Sequence, residues 1–185
     1  MNRQAKIDPL LSLLQQVIEG DRRAFSTLYE ATNHRITVYL YRLLGNRDCV
    51  EDILVETYTQ VWKSSSTFRR QSAVLTWMIG IARNIAFKEI GRIKIHDDIA
   101  DHSELSVQPV NLDKGNRSEV LNRAIHALSR KHREILDLVF FQELPYRDIS
   151  EMLGIPESTV KSRVFYAKAS LKQQLASMGI GQDDI

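Results

Sequence analysis

At 185 residues, 43% of them hydrophobic and 26% charged, the chain can hold one domain or two small ones and is too apolar to be a disordered tail. Its formal charge of +2, from 25 basic and 23 acidic residues, does not by itself indicate a nucleic-acid partner, and the single cysteine, Cys49, excludes an internal disulfide and a thiolate metal cluster. No apolar run approaches the ~20 residues of a membrane span, and the opening MNRQAKID lacks the apolar block of a secretion signal. The expected location is therefore the cytoplasm, with no membrane insertion.

Along the chain, Leu10, Leu11, Leu13, Leu14, Val17 and Ile18 recur at helical spacing and predict a first helix. Gly20-Asp21 punctuates it and positions a cap for a second helix carrying Phe25, Leu28 and Tyr29. A further amphipathic stretch, Ile36 to Leu44, stops at Gly45-Asn46. Val50 to Trp62 predicts the next helix, with Ile53, Leu54, Thr57, Tyr58 and Trp62 available to a core and Glu51, Asp52 and Glu56 near the outside. The polar turn SSSTFRRQS then leads to a helix from Leu75 to about Gly91. Between Arg92 and Arg117 periodicity disappears, over a stretch longer than the ~12 to 15 residues common for structureless loops in compact domains, so it reads as a linker. Helical patterns resume from Ser118 to Leu128 and from Arg133 to Phe141. The expectation is an all-α chain of two small helical domains, 1–92 and 118–185, joined by a flexible linker at 93–117.

Charge is segregated along this order. From Phe68 to Lys94 six cations face one acid, a net +5, whereas from Ile95 to Asn116 five acids face one lysine, a net −4. Such a division fits stretches that meet different partners.

The most informative segment is YRDISEMLGIPESTVKSRVFYAKASL, Tyr146 to Leu171. Ile149, Met152 and Leu153 mark one short helix, Gly154-Ile155-Pro156 a turn, and Val160, Val164, Ala167 and Leu171 a second apolar stripe. This is the layout of a helix-turn-helix, with Gly154 free to take positive φ and Pro156 suited to a helix entrance. Ser158, Ser162, Tyr166 and Ala169 lie opposite the stripe, with Lys161 and Arg163 flanking them. That face suits a major groove, with hydroxyls for phosphates and a forked guanidinium for a guanine edge; it equally suits the solvated side of an ordinary helical hairpin.

The segment LSRKHREILDLVFFQELPYRDISEMLGIPESTVKSRVFYAKASLKQQL resembles the carboxy-terminal DNA-reading domain of bacterial sigma-70 family factors. In the first half GDRRAFSTLYE, EDILVETYTQVW and FRRQSAVLTWMIGIARNIAFKEIGR resemble, in order, parts of that family's second conserved region. With two domains and a linker, the chain is similar to the compact extracytoplasmic-function group. The resemblance implies binding to core RNA polymerase through the β′ clamp helices and the β subunit, recognition of promoter DNA, control by an anti-sigma factor, and no cofactor.

It also implies roles for particular residues. Asp48, Glu51, Asp52 and Glu56 would dock on the polymerase, where acids suit a basic surface. Arg69, Arg70, Trp77, Arg83, Asn84, Lys88 and Arg92 would recognise and open the minus-10 element, using cations, amides and aromatic faces to capture single-stranded bases; Trp77 has an equally natural place in a core. Ser158, Thr159, Lys161, Ser162, Arg163, Tyr166 and Lys168 would read the minus-35 element. Departures from the family pattern are Cys49 in place of an acid, Val55 where glutamine is common, and Lys88 where aspartate is common.

Nothing catalytic is apparent: there is no phosphate-cradling glycine loop, the five histidines are scattered without metal-ligand spacing, and no nucleophile has an identifiable base. Ser64 to Thr67 could be a phosphorylation site or a plain turn, and Cys49 a redox sensor or an inert small residue. Two other functions stay open at this level. One is a sigma-like decoy that binds an anti-sigma factor; the other is a stand-alone helix-turn-helix regulator.

Overall fold

The computed structural model describes residues 8–44, 49–97 and 116–179, with side chains described throughout except at 92–97 and 116–118. Most of the expected linker and Asp48 thus lie outside the described residues. The elements are all helical: α1 (Pro9–Ile18), α2 (Arg22–Leu44), α3 (Val50–Ser64), a 3-10 turn at Ser65–Thr67, α4 (Val74–Asp97), α5 (Asn116–His126), α6 (Arg130–Leu136) running into a π-helical turn at Asp137–Phe141, α7 (Tyr146–Leu153) and α8 (Glu157–Ser177). Contacts gather the described residues into two compact units. Of these, 8–38 and 49–97 fall in one unit and 39–44 and 116–179 in the other.

Two boundaries differ from the sequence pattern. The helices expected around Phe25 and from Ile36 are a single helix, α2, because nothing between them breaks it: Glu30 to Arg35 contains neither glycine nor proline. Likewise α4 continues past Gly91 to Asp97, since one glycine costs a helix only about 1 kcal/mol.

In the first unit, Leu14, Val17, Leu28, Ile36, Ile53, Val61, Val74, Met78 and Ile79 are buried. One carboxylate organises the entry to this core. Asp8 caps α1 by accepting from Leu10 N–H at 3.0 Å through Oδ1, while its Oδ2 accepts from Val74 N–H, the start of α4, at 2.6 Å. Pro9 follows at the first helical position, where its missing N–H costs nothing. Asp21 similarly serves α2, accepting from Arg23 N–H at 2.7 Å and Ala24 N–H at 3.2 Å after Gly20 turns the chain at φ +90°. Deep between α2 and α3 the Tyr58 hydroxyl meets Thr32 Oγ1 at 2.7 Å, and burial pushes its pKa up to about 12.

The second unit combines the last turns of α2 with α5 to α8. Tyr39, Leu40, Ile125, Ile135, Leu138, Ile149, Val160 and Val164 are buried there. Arg42 Nη1 donates to Asp137 Oδ2 at 3.0 Å and its guanidinium lies 3.5 Å from the Phe141 ring centroid. Arg133 closes exposed helix ends, donating to the carbonyls of Arg42 at 3.1 Å, His126 at 3.1 Å and Leu128 at 3.2 Å. His126 Nδ1 is 3.5 Å from the same guanidinium; burial, then the Arg133 and Arg42 charges, push its pKa down to about 4.

Two consequences can be measured. Asp8→Ala removes the acceptor for two helix starts and should destabilise the first unit by about 1–2 kcal/mol, with Asp8→Asn keeping part of that. Trp62 and Trp77 both belong to this unit, so the denaturation midpoint by tryptophan fluorescence reports it; an unchanged midpoint in the alanine variant would remove Asp8 from this role. His126 stays neutral when folded down to about pH 4 but takes a proton near pH 6.5 when unfolded. In that window the unfolded chain binds more protons, so this group makes stability fall as pH drops from about 6.5 to 4 and adds no pH dependence above it. Urea titrations of α5 and α8 amides by NMR should show this slope reduced in His126→Gln.

Candidate functional site

The turn between α7 and α8 aims the second helix. Gly154 ends α7 in the left-handed region at φ 63°, ψ 36°, where a side chain would be strained, and the Ser150 hydroxyl donates to the Ile155 carbonyl at 2.6 Å across the turn. Pro156, extended at φ −58°, ψ 148°, then admits the chain to α8. Val160, Val164, Ala167 and Leu175 are buried along one side of α8. That burial turns the opposite side outward. Ser158, Lys161, Ser162, Tyr166 and Lys168 are exposed, and Thr159 and Arg163 half-buried at its margins.

All seven residues expected on this face are therefore accessible on one helix. Phe165 joins them and was not anticipated: it is 68% exposed, beside Tyr166 at 62%, with ring centroids 5.5 Å apart in an edge-to-face pair. Its signal in the sequence is faint, because a phenylalanine between Val164 and Ala167 reads as core until the helical angle is counted out.

The basic stretch of the first unit divides. Arg69 and Arg70 are exposed on the loop before α4, with Arg70 at φ 57°, a conformation uncommon outside glycine. Trp77 is half-buried and packs on Phe68, ring centroids 5.3 Å apart. Trp77, Asn84 and Lys88 follow at i, i+7 and i+11, one line along α4, on which Asn84 and Lys88 are exposed. Arg83 is set off from that line, its guanidinium 4.5 Å from the Phe87 ring centroid. The Arg92 side chain lies outside the described residues.

On α3, Glu51, Asp52 and Glu56 are exposed, and the first two stand in its opening turn, where a negative charge also favours the helix dipole. Beside them an open apolar groove of about 420 Å³ runs between α2 and α3, lined by Phe25, Tyr29, Leu54, Val55, Tyr58 and Trp62 among others. Val55 is 68% exposed, and Trp62, expected in the core, instead stands at the surface with its ring 5.1 Å from Phe25. In the turn after α3, Ser65 is buried whereas Ser66 and Thr67 are exposed.

Among the described residues no cluster of histidine, cysteine, aspartate and glutamate could hold a metal ion, and no helix is long and apolar enough to cross a membrane.

Both halves of the chain match known proteins. A family model described as "Sigma-70 region 2" matches residues 28–94, and one described as "Sigma-70, region 4" matches residues 118–171. The chain is 26% identical over 179 residues to "ECF RNA polymerase sigma factor SigW" of Bacillus subtilis, covering 89% of this chain and 96% of that protein. It is 27% identical over 178 residues to "ECF RNA polymerase sigma-E factor" of Haemophilus influenzae, covering 89% and 94%. Among solved structures, the sigma factor RpoE of Bartonella quintana, in complex with the anti-sigma factor NepR, has the same fold with a TM-score of 0.69 at 22% identity, over 82% of this chain and 96% of that one. CnrH, in complex with the cytosolic domain of CnrY, follows at 0.65 and 16%, over 90% and 96%.

Proposed function

The chain belongs to the sigma-70 family as an alternative sigma factor of the extracytoplasmic-function group, and from that premise we propose how its surfaces divide the work of promoter-specific initiation. The face of α8 reads the minus-35 element in the major groove. Arg163 and Lys161 reach base edges or the phosphates beside them, Ser158, Thr159 and Ser162 bond the backbone, and Tyr166 and Lys168 extend the contact. Phe165 adds an apolar surface for a thymine methyl group. The observation that carries this reading is the outward display of hydroxyls, cations and aromatic rings on one side of α8, held there by burial of the other side.

The loop holding Arg69 and Arg70, with the Trp77, Asn84 and Lys88 line, captures the minus-10 element as it opens. Opening needs no covalent chemistry, only stronger binding of unpaired bases than of the duplex, which stacking and cations supply. In this division the domains are 1–92 and 118–185 with 93–117 between them.

The acids of α3 meet the basic β′ clamp helices of core polymerase, and the adjoining groove of Phe25, Val55 and Trp62 supplies the apolar contact that charge alone lacks. The β subunit of core polymerase is a further partner. An anti-sigma factor holds the protein inactive by covering these surfaces; of the two structures of like fold, the sigma factor RpoE was solved with the anti-sigma factor NepR and CnrH with the cytosolic domain of CnrY. The protein works in the cytoplasm, as an initiation factor rather than an enzyme.

Run-off transcription with purified core polymerase on genomic promoter fragments tests this directly: new start sites should appear only when both proteins are present. Binding to core without any start site would instead indicate a decoy for an anti-sigma factor, and DNA footprinting without polymerase a stand-alone regulator. Within that assay Arg163→Ala should weaken specific promoter binding by about 1–3 kcal/mol if it makes a bidentate base contact. An unchanged promoter preference would remove Arg163 from base reading.

A further inference from the structure

Phe140 is half exposed, 48% of its surface in water, although Leu138 two residues earlier is completely buried. It sits in the π-helical turn Asp137–Phe141, where Gln142 N–H reaches back to the Asp137 carbonyl at 2.9 Å and the extra residue re-aims the side chains that follow α6. The Phe140 ring takes the Lys168 ammonium at 4.7 Å from its centroid, while the Phe141 ring takes the Arg42 guanidinium at 3.5 Å. Two adjacent aromatic rings thus hold two different cations, one from α8 and one from α2. Both rings keep much of their surface in water, 48% for Phe140 and 38% for Phe141.

Lys168 lies seven residues after Lys161, two turns along the same flank of α8, and both are exposed. A lysine has a flexible four-carbon stem, so an isolated ammonium at the surface occupies many positions and loses entropy when it binds. The ring's negative face favours the ammonium on one side and leaves its remaining N–H donors pointing outward. We infer that Phe140 is a positioning residue for DNA recognition: its ring holds Lys168 along the flank of α8, in line with Lys161, so that the two ammoniums meet backbone phosphates at a set spacing. This rests on α8 being the minus-35 helix. It assigns to the π-helical turn a part in DNA binding although the turn itself supplies no cation to the contact.

The test uses the full chain assembled with core polymerase and a fluorescent promoter duplex, titrated by anisotropy at several salt concentrations, with thermal unfolding of each variant as the folding control. Lys168→Met should lower affinity and reduce the salt slope by about one, the signature of one lost phosphate contact. Phe140→Leu keeps the apolar bulk but not the ring, and should lower affinity about two- to five-fold. Phe140→Tyr and Phe140→Trp should restore it, and Phe140→Leu added to Lys168→Met should cost nothing further. Wild-type affinity in Phe140→Leu, or its full loss added on top of Lys168→Met, overturns the positioning role. An unchanged salt slope in Lys168→Met overturns instead the phosphate contact on which the role depends.

Discussion

Burial of Val160, Val164 and Ala167 on one side of α8 is the constraint on which the proposed reading of DNA depends. Each fully buried valine is worth roughly 1.5–3 kcal/mol relative to an exposed one, enough to set the rotation of the helix about its axis. Once that rotation is set, Ser158, Ser162, Phe165 and Tyr166 have only one direction to face. The turn at Gly154 fixes the approach of the helix, and the Ser150 hydroxyl closes that turn on the Ile155 carbonyl without borrowing any residue from the outer face. Stability and the proposed recognition are thus served by different sides of one element.

The first unit shows the same division with a different outcome. Ile53, Thr57, Tyr58 and Val61 fill the inner side of α3, yet Val55 stands in water and Trp62 is partly exposed beside Glu51, Asp52 and Glu56. An acidic stripe alone would dissolve well and bind weakly, since exposed charge pairs contribute little. An apolar groove alone would bind without selecting among partners. Side by side, in the proposed docking role, the groove would supply area to bury and the acids would exclude partners of the wrong charge.

Cations in the second unit are assigned to distinct tasks by their surroundings. Arg133 is spent on three carbonyls at helix ends, and burial lowers its pKa, whereas Arg42 is held by a carboxylate and an aromatic ring. Neither is available to nucleic acid in this arrangement. Lys161, by contrast, projects from an outer face with no core role. A count of basic residues along the chain does not separate these cases, because a guanidinium can serve as a cap, a core pair or a DNA contact with the same side chain.

Much of this was legible in the residues alone. The 3.6-residue recurrence of Leu14, Val17, Val160 and Val164 marks the helices and their inner sides, Gly154-Ile155-Pro156 marks the turn, and the order of the motifs marks the family, because these signals are local and follow from backbone geometry. The exposure of Trp62 and Phe165, the merging of two expected helices into α2, the π-helical turn that aims Phe140 and the pairing of Arg42 with Asp137 were decided only by tertiary structure. An apolar residue is buried or left in water according to what packs against it, and a charge is paired according to what stands across from it. Both depend on residues distant in sequence, Arg42 and Asp137 being 95 apart, and no periodicity within one helix records them.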